Sequence, residues 1–139
     1  MIREIVLDTN VLVAPFRSKR GASYELVRSL GQADWRLNVS VALALEYEDV
    51  LKRKDMVRGI SEKAIDDFLD CLFSISNLAP FVLRQRPRLL DPDDERIEVA
   101  VECNAMIVTQ NRKDFVGAEE LGVIVRTPAE FLRMLRESQ

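Results

Sequence analysis

Asp8 lies in the stretch IVLDTNVLV, Ile5 to Val13, where a carboxylate, Thr9 and Asn10 interrupt two apolar runs. Burying a carboxylate there without partners costs several kcal/mol, so the stretch requires donors or a compensating charge. Other acids recur in comparable surroundings: Glu46 in SVALALEYEDVL, Asp91, Asp93 and Asp94 in DPDDE, and Asp114 in IVTQNRKDF. The chain has no histidine, which excludes Ser-His-Asp and Cys-His triads and every imidazole-ligated metal site. Cys71 and Cys103 lack the close spacing of a zinc or redox pair and are expected to serve as buried packing. Any catalysis rests on carboxylates, hydroxyls, Lys or Arg.

Each acid also has a plainer explanation. Asp91 is a good helix N-cap, Pro92 suits a first helical position, and Asp93 and Asp94 complement a helix dipole, so capping alone accounts for that run. At about 100° per residue Glu46 lies nearer the Leu43, Tyr47, Val50 stripe than Glu48 does and is the acid aimed inward, although boundary carboxylates commonly extend to solvent. For Asp8 capping is a weak explanation, because an N-cap acid should precede a helix rather than separate two apolar runs. Net charge is −3, which argues against a generic nucleic-acid coat. Basic residues nevertheless cluster near the acidic motifs, at Arg17, Lys19 and Arg20, at Lys52, Arg53 and Lys54, at Arg84, Arg86 and Arg88, and at Arg112 and Lys113.

These residues need elements to hold them. At 139 residues, with near-average hydrophobic and charged content and no repeat or linker, one domain over 1–139 is expected. No apolar stretch approaches the roughly 20 residues needed to span a bilayer, and MIREIVLD does not read as a targeting leader, so a soluble cytoplasmic protein is expected. Apolar runs at Glu4 to Leu7, Trp35 to Val39, Phe81 to Leu83, Ala105 to Val108 and Val123 to Val125 read as strands. Between them fall helical patterns at Ser23 to Leu30, at Val41 to Lys54, after Ser61 with a face of Ile65, Phe68, Leu69, Leu72 and Ile75, and after DPDD with Asn104 as a left-handed stop. Thr127, Pro128 and Glu130 form a capping box ahead of the last helix. Alternating strands and helices predict an α/β fold in three layers around a mostly parallel five-stranded sheet.

In such sheets the ligand site lies at the carboxyl ends of the strands. Asp8, the DPDD acids and Asp114 all follow strands on that rim. If they converge with Glu46, two carboxylates about 4 Å apart repel by roughly 4 kcal/mol at an effective dielectric of 20, so something positive must sit among them. All-oxygen ligation suits Mg²⁺ or Mn²⁺. Such an ion activates water and stabilises the leaving oxygen of a phosphodiester, with the flanking Arg17, Lys19, Arg20, Arg112 and Lys113 as candidate contacts to the phosphates of the strand being cut.

The pieces VLDTNVLV, SVALALEYEDVL, DPDDERIEVAVE and MIVTQNRKDF, in that order over nearly the whole chain, resemble the PIN domain nucleases, and within them VapC-type toxins of prokaryotic toxin–antitoxin pairs. The resemblance implies a metal-dependent ribonuclease on a five-stranded parallel sheet, often dimeric and restrained by a small antitoxin protein. It assigns the metal to Asp8, Glu46 and Asp94, the last because its spacing to Ile97 and Ala100 fits D-x-x-I-x-x-A, with Thr9, Asn10 and Thr109 as supporting polar groups. For the fourth acid the chain departs from relatives that place an aspartate where Asn111 stands. It matches T-x-N-x-x-D-F instead, which selects Asp114 and leaves Asn111 an uncharged support.

A competing expectation is a non-catalytic RNA- or protein-binding module with a degenerate metal site, favoured by Asn111. A phosphotransferase or receiver-like domain fits poorly, since VIVRTPAEF supplies an arginine and a capping box where such proteins need a lysine.

Overall fold

Branched residues of Arg3–Leu7 (β1), Trp35–Val39 (β2), Asn77–Leu78 (β3), Met106–Val108 (β4) and Val125–Arg126 (β5) pair into one all-parallel sheet in the order β3-β2-β1-β4-β5. The computed structural model describes residues 2–32, 34–53, 57–78 and 94–137. The segment Phe81 to Leu83, expected as the third strand, lies outside them, and the third strand observed is Asn77–Leu78. Register places Ile5 beside Leu37 and Met106, and Leu7 beside Val108. Ile5, Val6 and Leu7 are fully buried in the core, which is why they read as an unbroken apolar run.

The helices are Thr9–Arg17 (α1), Ala22–Arg28 (α2), Val41–Leu51 (α3), Glu62–Ser74 (α4), Asp94–Glu102 (α5), Val116–Glu120 (α6) and Pro128–Glu137 (α7), with a 3₁₀ turn over Arg112–Phe115. The chain winds outward from β1 through β2 to β3 and then returns to the other side of β1 to form β4. Right-handed crossovers therefore set α5 on the face opposite α1 and α2. The central strand β1 sits at the reversal, the topological switch point where open α/β sheets bind ligands.

Several local signals hold. Ser61 accepts from the Ala64 N–H at 3.1 Å and caps α4, and Asn104 takes φ 51° after α5. On α4 the face Ile65, Leu69 and Leu72 is buried, while Ile75 ends up exposed. Two expectations are corrected. Cys71 is exposed rather than buried, and Cys103 is half-buried, its thiol pushed up by that burial. Asp8 does precede a helix: it is the N-cap of α1, accepting from the Thr9 N–H at 2.8 Å. The run TNVLVAPFR, with branched residues and Pro15, reads as strand-like on its own. It folds as a helix that buries Thr9, Val11, Leu12 and Val13.

The capping box is reciprocal. The Thr127 N–H donates to Glu130 Oε1 at 2.8 Å and the Glu130 N–H donates to Thr127 Oγ1 at 3.2 Å. Thr127→Ala is expected to cost about 1 kcal/mol in urea unfolding. The backbone N–H of Thr127, and further the charge of Arg112, hold the Glu130 carboxyl below the usual carboxylate range. A carboxyl lowered on folding contributes stability that is present above its unfolded pKa and lost as pH falls through its folded value. Glu130→Gln should thus lose less stability than the parent between about pH 5 and pH 3 in acid titration of the melting temperature.

Candidate metal centre

β1 ends at Leu7, so Asp8 leaves the sheet at its central strand with its backbone N–H donating to the Val108 carbonyl of β4 at 2.9 Å. The residue is 7% exposed. Its Oδ1 caps α1 and its Oδ2 accepts from Thr109 Oγ1 at 2.7 Å. Thr109 follows β4 and is completely buried. Its own oxygen accepts from the Asn111 N–H at 3.0 Å. Asp8 is thereby fixed from both flanking elements, which answers the desolvation cost of the polar break only in part, since its charge still needs a counter-charge.

Glu46 arrives from α3. Helical phase turns Tyr47 into the core, where its hydroxyl donates to the Leu7 carbonyl and burial pushes its phenol far above the usual range. That contact pins α3 against the last residue of β1. Glu46, one residue away, then accepts from Thr9 Oγ1 at 2.7 Å. Two acids 38 positions apart in the chain are joined through one threonine.

The cation among them is Arg96 of α5. Its Nε lies 2.7 Å from Asp8 Oδ1, and its terminal nitrogen donates to Thr9 Oγ1 at 2.8 Å and to Glu46 Oε2. Arg96 is 5% exposed, so this is a buried ion network rather than a surface pair. Sequence reasoning missed it. A signal existed: Arg96 is in helical phase with Val99, Ala100 and Cys103, so an arginine stands on the inward side of α5. The neighbouring Glu95 is half-buried, its carboxyl raised first by burial and then by the charge of Glu46.

The remaining expected residues fall as follows. Asp94 opens α5, and its side chain lies outside the described residues, as do Asp91 and Asp93. Asp114 is exposed and accepts from Asn111 Nδ2 at 2.8 Å, so it connects to Asp8 through Asn111 and Thr109. Asn10 Oδ1 accepts from the Gln110 N–H at 3.3 Å, while Gln110 Nε2 donates to Ser23 at 2.7 Å. These bonds tie the loop after β4 to α1 and α2. Arg17, Lys19 and Arg20 are exposed at and just beyond the end of α1, with Arg17 roughly 14 Å along its axis from Asp8. Arg112 is half-buried and engages Glu130 at 3.3 Å and Glu119 at 3.9 Å, while Lys113 is exposed. Among the described residues, Asp8, Glu46 and Asp114 do not form a group of three able to share one ion.

The donors that do meet, two carboxylates and a threonine hydroxyl, are all hard oxygens, the set that suits Mg²⁺ or Mn²⁺. Arg96 marks the point where they already hold positive charge. The donor chemistry therefore fits a divalent ion.

No helix among the described residues is long and apolar enough to cross a membrane. The fold is similar to that of VapBC2 from Rickettsia felis bound to a DNA fragment from its promoter, with a TM-score of 0.63 and 19% identity over 89% of this chain and 98% of that one. It is also similar to FitAB bound to an IR36 DNA fragment, with a TM-score of 0.58 and 21% identity over 89% of this chain and 94% of that one. A domain of a functionally unknown protein from Methanocaldococcus jannaschii gives a TM-score of 0.52 and 18% identity, covering 88% of this chain and 89% of the other. No curated protein matches in sequence. The pattern of the PIN domain family matches residues 4–113, a span that begins in β1 and takes in Asp8, Glu46, Arg96 and Thr109, and with most of its length so matched the chain belongs to the PIN domain family.

Proposed function

We propose that residues 1–139 form a single nuclease domain that hydrolyses RNA phosphodiesters with Mg²⁺ or Mn²⁺, and that it acts in the cytoplasm as the toxin of a toxin–antitoxin pair. The observation that carries this reading is the convergence of Asp8 and Glu46, from separate elements, on one buried cationic point at the switch point of the sheet. Asp94, at the start of the helix that bears Arg96, and Asp114 complete the acidic set proposed to hold metal. The ion supplies an activated water and charge stabilisation at the phosphate. The chain's own residues do the positioning: Thr109 and the Thr9 N–H fix the Asp8 carboxylate, Thr9 steadies Glu46, and Asn10 and Asn111 secure the loop that carries Asp114.

RNA approaches with its phosphates directed by Lys113 and Arg112 beside Asp114, and by Arg17, Lys19 and Arg20 further along α1. A single-stranded or looped segment is the expected substrate, because its backbone can bend into the site. The toxin assignment, with an antitoxin protein and a second copy as partners, is supported by the VapC-like motifs and by the fold shared with VapBC2.

The test is cleavage of a single-stranded RNA by the purified chain. Cutting should require added Mg²⁺ or Mn²⁺ and stop in excess chelator. Cleavage undiminished by chelation, or none with either metal, contradicts the proposal. A non-catalytic RNA- or protein-binding module is the second reading, favoured by Arg96, which already pairs with Asp8 and Glu46, and by the uncharged Asn111. It would retain RNA or protein binding without cutting and would take up no Mn²⁺ in calorimetric titration.

A further inference from the structure

We infer that Arg96 is an internal competitor for the metal centre: its guanidinium occupies the cation position between Asp8 and Glu46, and it must withdraw from them for a divalent ion to bind. This rests on the metal-site reading above and adds to it a residue that regulates occupancy. The geometry carries it. Arg96 Nε is 2.7 Å from Asp8 Oδ1, and its terminal nitrogen is bonded to both Thr9 Oγ1 and Glu46 Oε2. One side chain therefore stands against an oxygen of each carboxylate that a metal would share.

Charge and space both make the two occupants exclusive. A divalent ion accepting electron pairs from the same carboxylates would lie within a few ångströms of a guanidinium in a site of low dielectric, and like charges at that separation repel strongly. An arginine cannot relieve the conflict by losing its proton. The remaining route is for its long stem to swing out of the pair, breaking the contacts to Asp8, Thr9 and Glu46. The chain thus holds a folded site in which one guanidinium offsets part of the carboxylate charge without metal, and its apparent affinity for metal is lowered by the fraction of molecules in which Arg96 occupies the centre.

The experiment is calorimetric titration of Mn²⁺ into the whole chain and into its Arg96→Met and Arg96→Lys forms, with thermal melts of each with and without Mn²⁺. Arg96→Met should bind at least about tenfold more tightly than the parent. Without metal it should melt at a lower temperature than the parent, and Mn²⁺ should raise its melting temperature by more. Arg96→Lys should fall between, because one ammonium keeps the charge but cannot span both carboxylates in the guanidinium's planar fork. Should Arg96→Met fail to fold, the lysine form carries the comparison. Equal affinity in the parent and the folded variants would overturn the competition while leaving the metal site standing. No binding by any form, or binding that survives Asp8→Asn, would overturn both.

Discussion

Asp8→Asn is expected to reduce metal-dependent RNA cleavage at least about a hundredfold while the chain stays folded. Replacing groups that merely orient a metal ligand commonly costs 10–100-fold, and loss of a ligand's charge should cost no less. The fold should survive because the asparagine oxygen can still accept the Thr9 N–H that caps α1. On the other side the amide can donate to Thr109 Oγ1, which at present donates to Asp8 and accepts from the Asn111 N–H. The hydroxyl has a second lone pair for that bond. The remaining cost is that Arg96 loses the buried one of its two counter-charges and keeps the half-buried Glu46, a destabilisation of up to about 3–5 kcal/mol. An RNA cleavage assay run beside circular-dichroism melting separates the two effects. Parent-like cleavage by the variant would remove Asp8 from the chemistry.

Phe131→Ala should destabilise the chain by about 3–5 kcal/mol. Phe131 is fully buried on α7. Its ring meets that of Trp35 edge-on at 6.4 Å between centroids. Trp35 in turn opens β2 and donates from its indole N–H to Ser29 Oγ at 3.1 Å. One ring thus joins the last helix, the second strand and the end of α2, and its removal leaves a cavity that three separate elements would have to close. For a domain whose total stability is of order 5–15 kcal/mol, that is a large fraction. Equilibrium urea unfolding measures it. A loss under about 1 kcal/mol would show that α7 repacks freely.

The residues of the site separate into those that local rules expose and those that they do not. Glu46 was legible from helical phase, because a 100° step fixes which side of α3 faces the Tyr47 stripe whatever the helix packs against. Thr127 and Glu130 were legible because a capping box closes within four residues. The parallel sheet was legible because strands buried on both faces must read as apolar runs. By contrast, α1 was not. Its branched residues and Pro15 carry little helical preference, and the helix exists because Asp8 caps it and the core takes up Val11, Leu12 and Val13. The two residues of β3 were likewise too few to show a period.

The sequence by itself determined that, without histidine, any catalysis rests on carboxylates, hydroxyls, Lys or Arg, that Asp8 needs donors or a compensating charge, and that strand order would carry it to the rim of a parallel sheet. Residue type and short-range periodicity suffice for those conclusions. Only the tertiary structure decided that the counter-charge is Arg96, and that Asp8 and Glu46 both meet it directly, with Thr9 bonded to each of them. Pattern along a chain reports which face of an element is buried, whereas the partner on that face is chosen by how α5, α3 and β1 pack together across dozens of intervening residues.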